Sequence, residues 1–160
     1  MNKLMLISLI FLLFVACTVE ENVTKKKSPA NSNNNIDEQT AIEKEILMLF
    51  NSQVNAFNNQ DINRLVENVS EDFKYFYITS NDLILEVEGK EQFRQSMEAY
   101  FKSGHQTTSK VQDYILTGNR ISFKEVVSYK DKAGKQVSSS AMAIYEIKAN
   151  KITRTWYFVD

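Results

Sequence analysis

The 160-residue chain reads as an α+β protein, with three N-terminal helices packed on a strongly curved, mostly antiparallel sheet of about six strands. Three observations carry this reading. Apolar residues recur at helical spacing from residue 42 to residue 69. Beyond His105 the chain reads as long strands to its end. All four glycines fall at the ends of predicted elements, and the one proline, Pro29, lies upstream of them all, so local signals and global pattern agree.

The first helix is expected over 38–59, with Ile42, Ile46, Leu49, Phe50 and Phe57 on one face and Thr40 with Glu43 as a capping box. Asn58-Asn59-Gln60 interrupts it. Asp61 is then the N-cap of a short second helix carrying Ile62, Leu65, Val66 and Val69. The period changes at Phe73–Ile78, which is aromatic and β-branched, and Asn81-Asp82 turns it back into Leu83–Glu88 as a hairpin. Gly89-Lys90 opens a third helix with Phe93, Met97, Tyr100 and Phe101 on one face, and Gly104 stops it. Gly118-Asn119, Gly134 and Ala149-Asn150 mark hairpin turns, so Arg120–Lys130, Gln136–Lys148 and Lys151–Val159 are antiparallel strands.

Ahead of this domain, residues 1–16 form a signal peptide. Lys3 is followed by Leu4–Ala16, apolar except for Ser8, and thirteen residues fall short of the roughly 20 that span a bilayer. Val15-Ala16-Cys17 resembles the lipobox of a bacterial lipoprotein, with Phe14 where that family usually has Leu. The resemblance implies a diacylglyceryl thioether on Cys17, cleavage before it, and a membrane partner reached through the lipid. It also implies a place in the bacterial cell envelope, on the inner or the outer membrane. Glu20-Glu21 resembles the export signals of some surface lipoproteins, and a solvated linker accounts for it equally. Residues 17–35 are the lipidated cysteine and a polar tether of about 23–25 Å. Residues 36–160 are the domain.

Charge excludes one class of partner. Without residues 1–16 the chain keeps 18 basic against 20 acidic residues, and its one basic run, Lys25-Lys26-Lys27, lies in the tether. Nucleic-acid binding needs a clustered basic surface, so none is expected.

Three segments carry a family resemblance. They are Asn59-Gln60-Asp61-Ile62 leading to Glu71-Asp72-Phe73, then Glu88-Gly89-Lys90-Glu91-Gln92-Phe93, then the closing strand Asn150–Tyr157. In order and spacing they resemble the NTF2-like, or SnoaL-like, superfamily over residues 38–160. The resemblance implies a cone with a cavity at its wide end, and homodimers through the outer face of the sheet. It also implies catalytic positions. A ketosteroid-isomerase-like donor would fall at Gln53 and its base at Tyr77, and a polyketide-cyclase-like aspartate would fall at Tyr157. A phenol with a pKa of about 10 is a poor general base at neutral pH, and both carboxylates are missing from these positions.

The expectation is therefore a non-enzymatic envelope domain that binds a small organic ligand or a protein partner, with no cofactor and no metal. Gln53, Tyr75, Tyr77, Phe93, Met97 and Tyr157 are the candidate cavity residues, and a plainly packed core is the alternative for the same rings. By strand alternation Ile152, Arg154, Trp156 and Phe158 share the outer face, which makes Arg154, Trp156 and Phe158 the candidate dimer surface. Two rivals stand beside this: an isomerase or cyclase working through Tyr77, Tyr157 or His105, and a purely structural dimeric module. His105 also reads as an exposed loop residue, Asp61 as an N-cap rather than an acid, and Asp160 as a frayed end.

Overall fold

The computed structural model describes residues 33–103, 107–130 and 133–159; Cys17, the tether up to residue 32, Gly104, His105 and Asp160 lie outside the described residues, and the last three tether residues, 33–35, belong to the first helix. The elements run α1 (Asn33–Asn58), α2 (Ile62–Glu67), β1 (Val69–Ile78), β2 (Leu83–Glu88), α3 (Lys90–Lys102), β3 (Thr108–Thr117), β4 (Arg120–Lys130), β5 (Gln136–Lys148) and β6 (Lys151–Phe158). The six strands form one sheet in the order β2-β1-β6-β5-β4-β3. β1 and β6 are parallel and the other neighbours antiparallel.

Two expectations need correction. The three helices do not form an N-terminal block, because α3 lies between β2 and β3 and packs on β1 and β2. Helix α1 starts at Asn33, so Thr40 lies within it rather than capping it. Between Pro29 and Gly89 the chain has neither proline nor glycine, and nothing there stops the helix from extending toward its N-terminus.

Helix α1 buries Ile46, Leu49, Phe50, Gln53 and Ala56, and α3 buries Phe93, against a core that includes Val69, Phe73, Ile121, Phe123, Ala143, Tyr145 and Ile152. Registers shift on β3 between Val111 and Asp113, on β1 between Val69 and Lys74, and between Glu146 and Ile147 on β5 opposite β6. Such bulges bend strands and raise twist, and they curve this sheet around α1 and α3. The last of them leaves Thr153 of β6 unpaired with β5, since Glu146 faces Arg154 and Ile147 faces Ile152. That extra residue turns Ile152 into the core, 1% exposed, and corrects its expected place on the outer face.

The outer face has two zones. One row crosses five strands as Glu88–Lys74–Arg154–Glu146–Arg120, with ion pairs Lys74–Glu88 at 2.8 Å, Arg154–Glu146 at 3.1 Å and Arg120–Glu146 at 2.8 Å. Beside it lie the apolar rows Leu85–Phe76–Trp156–Ile144 and Leu83–Ile78–Phe158–Met142. Among the described residues no helix is long and apolar enough to cross a membrane.

Candidate active site

Strand β5 sets the shape of the inner face. Its inward residues run Ser139, Ala141, Ala143, Tyr145, Ile147, small toward the start of the strand and large toward its end. The small side chains leave their neighbours' longer ones to meet in front of the strand. Across β5, Ala143 pairs with Phe123 on one side and Tyr157 on the other, and Tyr157 pairs with Tyr77. In the next layer toward the start of β5, Ala141 pairs with Glu125 of β4.

The rings close on one another. Tyr75 stacks on Tyr157 with centroids 5.3 Å apart, and Tyr77 meets Tyr75 edge-on at 5.0 Å. Tyr145 packs on Phe123 at 4.9 Å and on Phe50 at 5.9 Å. The hydroxyls of Tyr145 and Tyr157 lie 3.4 Å apart. Tyr75, Tyr77 and Tyr157 keep partial exposure, so the group reaches the protein surface.

Glu125 stands among these phenols and is 8% exposed. The Ser109 hydroxyl, itself buried, donates to its Oε1 in a short hydrogen bond. Burial pushes the Tyr75 and Tyr157 phenols well above their ordinary value, and the charges of neighbouring tyrosines and of Glu125 push them further. Burial and then Glu125 raise Tyr145, against the opposing hydrogen bond with Tyr157. Tyr100 is raised by burial and by Glu125, partly offset by its hydrogen bond to Thr107. Burial is the main cause for all four, and each phenol stays protonated at neutral pH. The other buried carboxylate, Glu146, is neutralised on the outer face by Arg120, Lys148 and Arg154. No described cation pairs with Glu125.

The expected cavity residues divide into groups. Tyr75, Tyr77 and Tyr157 come together in the phenol cluster. Gln53 is buried, and its Oε1 accepts from Asn68 Nδ2 at 2.9 Å, in an amide pair that ties α1 to the end of α2. Phe93 packs on Phe73 at 4.9 Å, and Met97 packs half-buried against the core. Asp61 caps α2, accepting from the Arg64 N–H at 3.0 Å. Arg154, Trp156 and Phe158 are on the outer face, where Trp156 stacks on Phe76 at 6.0 Å. Among the described residues no three His, Cys, Asp or Glu side chains gather as metal ligands.

Sequence reasoning missed Glu125, although a signal for it exists. Ile121, Phe123, Glu125 and Val127 occupy alternate positions of one strand, so Glu125 is a charge in an apolar phase.

A buried carboxylate and a cluster of phenols share one face of a curved six-stranded sheet. The SnoaL-like domain family matches residues 51–155, and the chain belongs to that family. Comparison with curated protein sequences gave no match. Among solved structures, an uncharacterized cystatin-fold protein from Novosphingobium aromaticivorans is 21% identical, with a TM-score of 0.60 over 70% of this chain and 96% of that one. An M. tuberculosis epoxide hydrolase resembles the chain with a TM-score of 0.61 at 14% identity, over 73% of this chain and 84% of that one. A candidate polyketide cyclase from Streptomyces antibioticus gives 0.59 at 14% identity, over 70% and 89%. What these proteins share with the chain is the fold. Two of these three are named as enzymes, so the fold gives no ground for the expectation of a non-enzymatic domain, which is withdrawn. That expectation rested on carboxylates missing from two positions; Glu125 is a buried carboxylate on another strand, β4.

Proposed function

We propose that the chain is an acid–base enzyme of the isomerase or cyclase type, acting on a small, largely apolar carbonyl compound. The substrate oxygen accepts hydrogen bonds from the phenol cluster. Glu125 takes a proton from the carbon next to the carbonyl: the C–H bond breaks, an O–H bond forms on Glu125, and the electron pair moves onto the oxygen as an enolate. The phenols stabilise that charge as it develops. Glu125 then returns the proton to another carbon, or the enolate carbon attacks a second carbonyl of the same substrate, the C=O π pair moves onto its oxygen, and that alkoxide takes the proton back from Glu125. The observation that carries this reading is the buried Glu125 carboxylate, fixed by Ser109 among raised-pKa phenols. Hydrogen exchange of β-tetralone in deuterium oxide, compared between the wild type and Glu125→Gln, tests it.

Two further parts of the reading concern placement. Cys17 carries the lipid and holds the enzyme at an envelope membrane through the tether; the support is the lipobox Val15-Ala16-Cys17 behind its apolar run. Intact-mass spectrometry of the membrane fraction is expected to find a chain that begins at a lipid-modified Cys17, and a chain retaining residues 1–16 would refute this. The protein pairs with a second copy through the apolar rows around Trp156 and Phe158. Their support is size and continuity, because eight apolar side chains on four adjacent strands make an unusually large exposed patch for a monomer.

A further inference from the structure

The chain that fixes Glu125 starts outside the phenol cluster, at the end of α1. Strand β3 is an edge of the sheet, so half of its backbone groups have no strand beside them. At Ser109 that gap is filled by one side chain. Asn58, the last residue of α1, donates from Nδ2 to the Ser109 carbonyl at 2.9 Å and accepts the Ser109 N–H on Oδ1 at 2.7 Å. The carboxamide makes the two bonds a neighbouring strand would make.

This clamp sits where the register of β3 needs it. The Gly118-Asn119 turn fixes the pairing of the second half of β3, from Asp113 to Thr117, but the shift between Val111 and Asp113 separates the first half from that control. In the first half Ser109 pairs with Val127 and Val111 with Glu125. A slip by one residue would turn the Ser109 hydroxyl to the other face of the sheet, away from Glu125. Just ahead of this segment, the Tyr100 hydroxyl donates to Thr107 Oγ1 at 2.9 Å, a second tie from a helix to the start of the same strand.

We propose that Asn58 and Ser109 are positioning residues for the acid–base group: Asn58 sets the register of the β3 edge, and Ser109 thereby aims the Glu125 carboxylate. The proposal rests on the catalytic reading of Glu125. Its test uses the full chain with Asn58→Ala, Ser109→Ala and Ser109→Thr, assayed by β-tetralone exchange, with thermal melts to measure the folded fraction.

Misplacing a reacting group lowers kcat, so each alanine variant is expected to lose about 10²-fold in kcat, with KM held within about twofold. Ser109→Thr keeps the hydroxyl and recovers most of the rate. Wild-type kcat in Ser109→Ala, or losses that follow only the unfolded fraction, would overturn the proposal. If the wild type exchanges nothing, the catalytic reading fails separately, and crystal structures of the alanine variants decide the positioning claim. A changed Glu125 rotamer supports it, and an unmoved Glu125 in both variants refutes it.

Discussion

Two buried glutamates show how surroundings decide what a carboxylate does. Burial alone would raise the Glu146 pKa, but hydrogen bonds from Arg120 and Lys148 and the charges of Lys148 and Arg154 outweigh it and bring it down from 4.5 to about 2. It is a structural anion. Its folded-state pKa is depressed, so its contribution is fully present above 4.5 and is lost as pH falls through the window down to about 2. Denaturant melts across that window should show a decline, held to roughly 1 kcal/mol because water screens the half-exposed cations that pair with it, that Glu146→Gln flattens. An unchanged slope in that variant would refute the assignment. Glu125 accepts instead from the buried Ser109 hydroxyl, and no described cation pairs with it. Strand alternation set Tyr75 beside Tyr77, and the family resemblance set Tyr157 on the same side; in the fold Tyr77 pairs with Tyr157. Glu125 was missed, because the family resemblance points to positions on β1 and β6 while this carboxylate lies on β4.

At the level of elements, most of the architecture was legible. Strands β4 and β5 run as their turn signals indicate, and Asp61 caps α2 as its side chain allows. What failed were features set by tertiary context. The bulge at Thr153 has no sequence mark, yet it moves Ile152 from the outer face into the core. The start of α1 was misplaced because a cap-like Thr40 stood in a segment that no residue obliges to break. One turn carries a measurable cost. Ala149 and Asn150 both have positive φ, 47 and 55°, as a two-residue hairpin turn between twisted strands requires. Alanine at such a position is strained by about 1 kcal/mol. Ala149→Gly should therefore stabilise the protein by roughly 0.5–1 kcal/mol in denaturant melts, and a destabilised variant would show that the turn is not strained.

For the whole molecule, the two faces of one sheet divide the work. The inner face tapers from Ile147 and Tyr145 to Ala143, Ala141 and Ser139 and holds Glu125 and the phenols. The outer face sets a charged row beside apolar rows. If the apolar rows join two copies, Met142→Glu places a charge at a 55% exposed position within them and should give a monomer in sedimentation equilibrium. A variant that keeps the wild-type mass would remove that face from the interface.

If Glu125 moves a proton, it should govern α-hydrogen exchange of β-tetralone in deuterium oxide, followed by NMR. The wild type should exchange faster than the buffer background, and Glu125→Gln, which keeps the shape and loses the base, should be slower by about 10²-fold or more. Equal exchange by the two proteins, or none by a folded wild type, would contradict the claim.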